Sequence, residues 1–246
     1  MTLRSLSRLQ DLGQVFIIGY IPTWINQDEV TFIPFPDPYQ SKDANLLNKL
    51  LRAANEDSLT DDFIVFSDDQ PLLSPVYSDD FQAYAMEDLK GRKHYNTAWK
   101  RRLRDTRDIL DSKGATAYNF EGHIPYMVNK EKVKELLNWP ILNGSMTIFT
   151  TYFNAHGIPP VEGINIVRAN LHKPTPVGDV GMAVYKQFGS LRTDSMENWA
   201  VIRLLEGMYP EKSPYEKDTE GWSLWTPERQ SAMVTACKGA DNLMNL

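Results

Sequence analysis

The stretch that most constrains this chain is Phe63–Leu73, which reads Phe-Ile-Val-Phe-Ser-Asp-Asp-Gln-Pro-Leu-Leu. Four apolar residues in a row predict a short strand that is buried on both faces. Pro71 lacks a backbone N–H, so we expect the strand to end before it. In an open parallel sheet, ligands collect beyond the carboxyl ends of the strands, and this places Asp68 and Asp69 at a candidate site.

These adjacent carboxylates have two interpretations. A hard divalent cation prefers oxygen ligands and often shares them with the phosphates of a substrate, so the pair is suited to such a cation. A polar turn after a strand has the same composition, and the pair alone does not decide between the two.

Length and composition predict one large domain, spanning residues 1–246, with 42% hydrophobic residues available for its core. A single cysteine, Cys237, argues against a disulfide framework and fits a reducing compartment. No apolar run approaches the ~20 residues of a membrane span, and residues 1–9 lack a signal peptide's apolar stretch. We therefore expect a cytoplasmic protein without a membrane partner. The net charge of -6 offers no general attraction for nucleic acid.

The order of apolar patterns is typical of an α/β fold. Strands are expected at 15–21, 30–35, 63–66 and 115–120, and helices at 2–12, 43–55, 97–113, 129–138 and 194–208, with a last helix from Thr226. Residues 146–153 fit either structure, and 155–192 should be irregular with at most one strand. Asp194 and Glu197 have the spacing of a capping box. Trp99 and Leu137 are expected to face the core.

Two residues after the predicted strand 115–120 are candidates for catalysis. His123 lies in Glu-Gly-His-Ile-Pro, residues 121–125, between that strand and a capped helix. As a neutral imidazole it could complete a metal site or act as general base on a hydroxyl, and Glu121 is the competing base. Spacing does not separate these roles, and a lone His is more often a packed or surface residue.

The helix at 97–113 carries the strongest local basic patch. Its charges fit i,i+4 pairs on a solvated face, namely Arg101–Asp105, Arg104–Asp108 and Arg107–Asp111. Lys100 and Arg102 lack such an acidic partner and are candidates for contact with a phosphate of a nucleotide or a nucleic acid. Lys42 lies near the start of the helix at 43–55, where backbone N–H groups also favour anions.

The order of several short motifs resembles that of GT-A type glycosyltransferases. The motifs are Arg4-Ser5-Leu6, residues 15–24, Lys42–Asn45, residues 63–70, His123–Tyr126 with Asn129-Lys130, and Tyr209–Glu216. The group includes phage and kinetoplastid enzymes that glycosylate hydroxymethylated pyrimidines in DNA. More distantly, the chain is similar to Stealth-type capsular polysaccharide phosphotransferases. The shared order across most of the chain carries the resemblance, since each motif is short.

The resemblance implies a single GT-A-like (Rossmann-like) domain with a mainly parallel central sheet flanked by helices. It implies a nucleotide-sugar donor, a UDP-sugar, held through Mn²⁺ or Mg²⁺ by Asp68 and Asp69. It places His123 at the reacting centre, as a metal ligand or a catalytic group. Such enzymes usually begin with a strand ahead of the first helix, whereas the printed sequence starts at about that helix.

The resemblance also implies that Lys42, Asn45 and Arg102 lie near the donor, together with Asp68. The expected acceptor is a hydroxymethylated pyrimidine in double-stranded phage DNA, with the basic helix on the phosphates and a flipped base in the pocket. Transfer of a sugar or sugar-phosphate to a polysaccharide is the first alternative, which the acidic charge favours. A non-catalytic sugar- or nucleotide-binding remnant is the second.

Overall fold

The structure is a computed structural model that describes residues 1–217 as short strands and helices. The strands are β1 (Phe16–Gly19), β2 (Thr31–Pro34), β3 (Asp62–Val65), β4 (Glu87–Asp88), β5 (Tyr118–Asn119), β6 (Tyr126–Asn129), β7 (Arg168–Leu171) and β8 (Phe188–Leu191). The helices are α1 (Thr2–Ser5), α2 (Lys42–Ala54), α3 (Ala98–Ser112), α4 (Lys130–Glu135), α5 (Ile148–Ala155), α6 (Ile164–Val167), α7 (Val177–Gly181) and α8 (Trp199–Met208). Among these helices, none has the length and apolar character needed to cross a membrane. Cys237 and the helix predicted from Thr226 lie outside the described residues.

The strands pair two by two. β1 with β2 and β7 with β8 are parallel, whereas β3 with β6 and β4 with β5 are antiparallel. The mixed helix and strand content agrees with the predicted α/β class, but residues 1–217 do not show a mainly parallel central sheet. In β3, predicted to be buried on both faces, only Phe63 is buried, while Ile64 and Val65 are half-buried. Antiparallel pairing suits a strand with one buried face.

The long helices form where their local signals predict them. The Ser41 side chain accepts a hydrogen bond from the Ala44 N–H at 3.4 Å and starts α2. α2 packs on α4, and α3 packs on α5, around the larger of two hydrophobic clusters. Leu103 of α3 is fully buried, but Trp99 and Leu137 are 37% and 58% exposed, so the prediction that they face the core is wrong. Trp99 lies in the first turn of α3, and Leu137 lies in a 3-10 turn, whose tighter period rotates it outward.

Residues 155–192 are more regular than their composition predicts. They contain β7, β8 and the short helices α6 and α7. The predicted capping box at Asp194 is also wrong, because residues 193–197 form a 3-10 turn. α8 starts later, where the Asn198 side chain accepts from the Ala200 N–H at 3.1 Å. The first helix is likewise shorter than predicted, since α1 passes into a 3-10 turn at Leu6.

The acidic stretch after β3 runs antiparallel beside β8. The Leu191 N–H donates to the Asp69 carbonyl at 2.9 Å, and the Gly189 N–H donates to the Pro71 carbonyl at 2.7 Å. β3 ends at Val65, before Pro71, as predicted, and Pro71 pairs with β8 through its carbonyl, which needs no N–H. Asp69 therefore lies beside the carboxyl end of β8.

The stretch after β3, where Asp69 lies beside β8, is located between two hydrophobic clusters. Leu72 is part of the larger cluster, while its neighbour Leu73 is part of a smaller one formed with β7, β8, α7 and α8. The change of side follows the two-residue period of an extended chain. A seam between packed units that meets the carboxyl end of parallel strands is a common place for a ligand site.

Candidate functional site

The structure brings together Asp69 and His123, two of the predicted site residues. His123 Nε2 lies 3.1 Å from Asp69 Oδ2, and the two side chains are 39% and 37% exposed. His123 stands in the loop between β5 and β6 with a backbone φ of 53°, and among residues 1–217 it is the only non-glycine with positive φ. This left-handed conformation is uncommon, although His adopts it more readily than bulky residues do.

Ser190 extends this pair on the far side of the imidazole. Its Oγ lies 2.8 Å from His123 Nδ1, and the residue is only 2% exposed on β8. We refer to Asp69, His123 and Ser190 as the relay. Sequence reasoning missed Ser190, because the region was expected to be irregular and no pattern predicted a strand there.

Asp68 is not part of the relay. It is exposed, and its backbone carbonyl accepts a hydrogen bond from Thr2 Oγ1 at 2.7 Å. Within residues 1–217, no three His, Cys, Asp or Glu side chains are grouped so that they could hold a metal ion together. The predicted ligands Asp68, Asp69 and His123 are therefore not gathered around one point. Asp69 Oδ1 is buried and has no hydrogen-bond partner in the described part of the chain.

Further polar residues follow the carboxyl ends of β7 and β8. His172 comes directly after β7, whose last residue is in register with the last residue of β8, and Asp194 lies shortly after β8. His172 Nε2 and Asp194 Oδ1 are both buried without a hydrogen-bond partner among the described residues, although Asp194 forms an ion pair with Arg192 at 3.7 Å. Burial, followed by the charge of Arg192, lowers the pKa of His172 and favours its neutral form.

Glu121 belongs to a second cluster at the start of α5. Glu121 Oε1 accepts from the Thr150 N–H at 2.9 Å, and Asp43 Oδ1 accepts from the Ile148 N–H at 3.3 Å. Burial, and then the negative charge of Asp43, raise the pKa of Glu121 to about 7. Burial also raises the pKa of Asp43, an effect opposed by Arg102, whose Nη1 lies 2.7 Å from Asp43 Oδ2. The pKa of Glu121 therefore lies near neutrality.

The residues expected near a donor differ in what they contact. The Asn45 side chain accepts from the Tyr39 N–H at 2.9 Å and donates to the Tyr39 carbonyl at 2.8 Å, so it fixes the turn before α2. Arg102 is engaged by Asp43, and also donates to Ser41 Oγ at 3.3 Å. Lys42 is exposed. Lys42 and Asn45 lie at the start of α2, and packing of α3 brings Arg102 to the same place, but Asn45 and Arg102 already have protein partners.

The arginines of α3 pair differently from their predicted i,i+4 pattern. Arg104 lies 2.7 Å from Asp105, and Arg107 lies 2.6 Å from Asp108, so each pairs with the next residue. Together with the Arg102–Asp43 pair, these contacts neutralise three of the five basic side chains at 100–107.

Comparison with known proteins assigns no family to this geometry. No family model matches the chain, and no curated protein is significantly similar to it in sequence. The resemblance to GT-A type enzymes therefore remains a prediction.

Replacing Glu121 with Gln should flatten the pH dependence of stability. The pKa of Glu121 is raised from 4.5 to about 7 in the folded state, so the folded protein holds this proton more tightly than the unfolded chain. Wild-type stability should therefore fall as pH rises between these values, by up to about 3 kcal/mol. Glu121→Gln should remove this slope in urea denaturation, whereas Glu131→Gln, at an exposed position on α4, should keep it. Equal slopes in both variants would contradict the assignment.

Replacing Gly122 with Ala should disturb the loop that connects Glu121, in the cluster at the start of α5, with His123, in the relay. A Cβ here would lie 2.3 Å from Ile164 Cδ1 and 2.8 Å from Tyr126 Oη. The Tyr126 hydroxyl donates to the Phe120 carbonyl at 2.6 Å, so it cannot easily move away from an added Cβ. We expect a loss of about 1–3 kcal/mol in unfolding free energy. Gly178→Ala, where a Cβ meets nothing within 4 Å, is the matched control and should not destabilise the protein.

Proposed function

We propose that this protein transfers a sugar from a nucleotide-sugar donor to a hydroxyl acceptor. The motif order that resembles GT-A type glycosyltransferases supports the reaction class. The observation that carries the proposal is the relay itself, in which an oriented carboxylate stands beside the carboxyl end of β8. The proposal takes the GT-A likeness from the motifs and not from a parallel central sheet, because the described strands pair two by two.

Asp68 and Asp69 meet some of the requirements of a divalent-cation site. Asp69 keeps one oxygen without a hydrogen-bond partner in residues 1–217, and Asp68 is exposed beside it. These two residues would hold Mn²⁺ or Mg²⁺, with the donor's diphosphate as a further source of oxygen ligands. The cation would neutralise the charge that grows on the leaving diphosphate. His123 fits poorly as a ligand, since both of its ring nitrogens already have partners.

Glu121 is the group best suited to take the proton of the acceptor hydroxyl. A general base works best when its pKa lies near the working pH, and the pKa of Glu121 is about 7. The start of α5 holds this carboxyl in place, through the hydrogen bond from the Thr150 N–H at 2.9 Å. A perturbed carboxyl beside a loop that carries a second polar cluster is typical of functional sites.

A carbohydrate acceptor fits the charge distribution better than DNA. Arg102, Arg104 and Arg107, three of the five basic residues of α3 at 100–107, are paired with aspartates, which reduces the positive charge available for a phosphate backbone. The net charge of -6 acts in the same direction. Hydroxymethylated pyrimidine in DNA is the second candidate, on the strength of the resemblance. Retention of a hydroxymethylated oligonucleotide that weakens steeply with salt would favour it.

The direct test is release of UDP from a panel of UDP-sugars, with and without Mn²⁺. We expect release from at least one of UDP-glucose, UDP-galactose and UDP-N-acetylglucosamine, and we expect EDTA to stop it. Stabilisation of the fold by a UDP-sugar without any turnover would instead indicate a non-catalytic binding protein. No release and no stabilisation with every donor would overturn the proposal.

A further inference from the structure

We propose that Asp69 keeps the proton of the His123 ring on Nε2, that Ser190 orients the ring by donating to Nδ1, and that His123 is a positioning residue for Asp69 and not a base or a metal ligand. The proton positions follow from the geometry of the relay alone. Their consequence for catalysis rests on the function proposed above.

The first step concerns His123 Nε2. It lies 3.1 Å from Asp69 Oδ2, and a carboxylate oxygen only accepts hydrogen bonds. Nε2 must therefore carry the proton and donate it to Asp69. If Nε2 were unprotonated, its lone pair would face the Asp69 carboxylate oxygen, and two acceptors at this distance repel each other.

The second step concerns Nδ1. A neutral imidazole has one N–H, so when Nε2 carries the proton, Nδ1 is an acceptor. The Ser190 hydroxyl, 2.8 Å away, is placed to donate to it. Ser190 is 2% exposed, and His123 is the only partner of its side chain in residues 1–217. A buried hydroxyl that pointed elsewhere would leave its proton unpaired, which is unfavourable.

Together the two hydrogen bonds engage both ring nitrogens. His123 then has no lone pair with which to take a proton from an acceptor or to bind a cation. It holds the Asp69 carboxylate in one orientation instead, from a backbone conformation that few residues adopt. Ser190 is too deeply buried to be a nucleophile, so its role is to orient the ring. Partners that orient a ligand-binding side chain typically contribute 10–100-fold to affinity or activity.

The test is an imidazole ¹⁵N–¹H spectrum of the full-length protein at about pH 8.5, where histidines are mostly neutral. The sequence has 4 histidines, and the signals of His123 are those lost in His123→Gln. We expect Nε2 protonated and Nδ1 unprotonated in the wild type. In Ser190→Ala, Nε2 should stay protonated because Asp69 is still present, whereas the Nδ1 resonance should move because Nδ1 has lost its hydrogen-bond donor. Ser195→Ala removes an equally buried hydroxyl that bonds backbone, and it should leave the His123 signals unchanged. A protonated Nδ1 in the wild type would overturn the proposal, as would wild-type signals in Ser190→Ala.

Turnover provides the second readout. Ser190→Ala should lower kcat for UDP-sugar turnover by about 10–100-fold with little change in KM for the acceptor. Ser190→Cys, which keeps the side-chain volume, replaces Ser190→Ala in both measurements if the Ala variant does not fold. If the wild type shows no turnover, the proposed function fails, while the spectrum still decides the role of Ser190.

Discussion

Asp69→Asn is expected to lower kcat/KM for UDP release by about 10²–10³-fold. The substitution keeps the size of the side chain and removes its charge. Asp69 Oδ2 accepts from His123, while Oδ1 has no hydrogen-bond partner in the described part of the chain, so the carboxylate is oriented and still has an oxygen to offer. Loss of the charge would weaken binding of the cation that would neutralise the leaving diphosphate. Steady-state kinetics with UDP-glucose at fixed Mn²⁺ would measure the effect.

Two further aspartates provide graded controls for this result. Asp68→Asn should have a smaller effect, because Asp68 is exposed and lies outside the relay. Asp79→Asn, at an exposed position in a 3-10 turn of residues 78–80, should leave the rate unchanged. If Asp69→Asn behaved like Asp79→Asn, Asp69 would have no part in the reaction.

Arg4→Ala is expected to lower the unfolding free energy by about 3–5 kcal/mol. Arg4 Nη2 lies 2.8 Å from Glu216 Oε1, and the two side chains are only 10% and 4% exposed. Removal of the guanidinium would leave the Glu216 carboxylate buried with the N–H and hydroxyl of Ser213, at 2.9 Å and 3.0 Å, as its remaining hydrogen-bond donors among residues 1–217. Urea denaturation at neutral pH would measure the loss.

The exposed pair of Lys173 and Glu197 is the matched control for this ion pair. Its side chains are 58% and 59% exposed, so Lys173→Ala should change the unfolding free energy far less than Arg4→Ala does. Arg4→Met combined with Glu216→Gln should recover part of the loss, because no charge would then be left buried. A loss in Arg4→Ala as small as that in Lys173→Ala would show that the pair contributes little. Arg4 and Glu216 belong to the first and last motifs of the resemblance, and the structure gives both of them a role in stability.

The parts of the fold that were predicted correctly have local signals. Thr97 and Asn129 accept hydrogen bonds from N–H groups at the start of α3 and α4, and such caps can be recognised from a few residues. The strands β7 and β8 have four residues each and depend on pairing with one another and with the stretch after β3. No local pattern distinguishes such strands from irregular chain. Contacts with distant segments therefore determine that these residues form strands, and local sequence patterns did not predict it.

The same reason limited the prediction of the site. The link between the acidic pair and His123 was expected from strand ends, and the structure places Asp69 and His123 in contact. The Ser190 contact joins residues 67 positions apart, and the Arg102–Asp43 contact joins residues 59 positions apart. Helical spacing considers only partners within one turn, so it left Arg102 unpaired. An ion pair between two different helices, such as that of Arg102 with Asp43, can be identified only from the packed structure.

The most direct measurement is thermal unfolding of wild type and Asp69→Asn with UDP-glucose, UDP-galactose and UDP-N-acetylglucosamine, each with and without Mn²⁺. A ligand at about 100 times its Kd stabilises the folded state by about 2.7 kcal/mol, and this raises the Tm by several degrees. We expect at least one donor to raise the Tm of the wild type only when Mn²⁺ is present, and to leave Asp69→Asn unchanged. A donor that stabilised both proteins equally, or no stabilisation by any of the three, would contradict a role for Asp69 in binding an activated sugar.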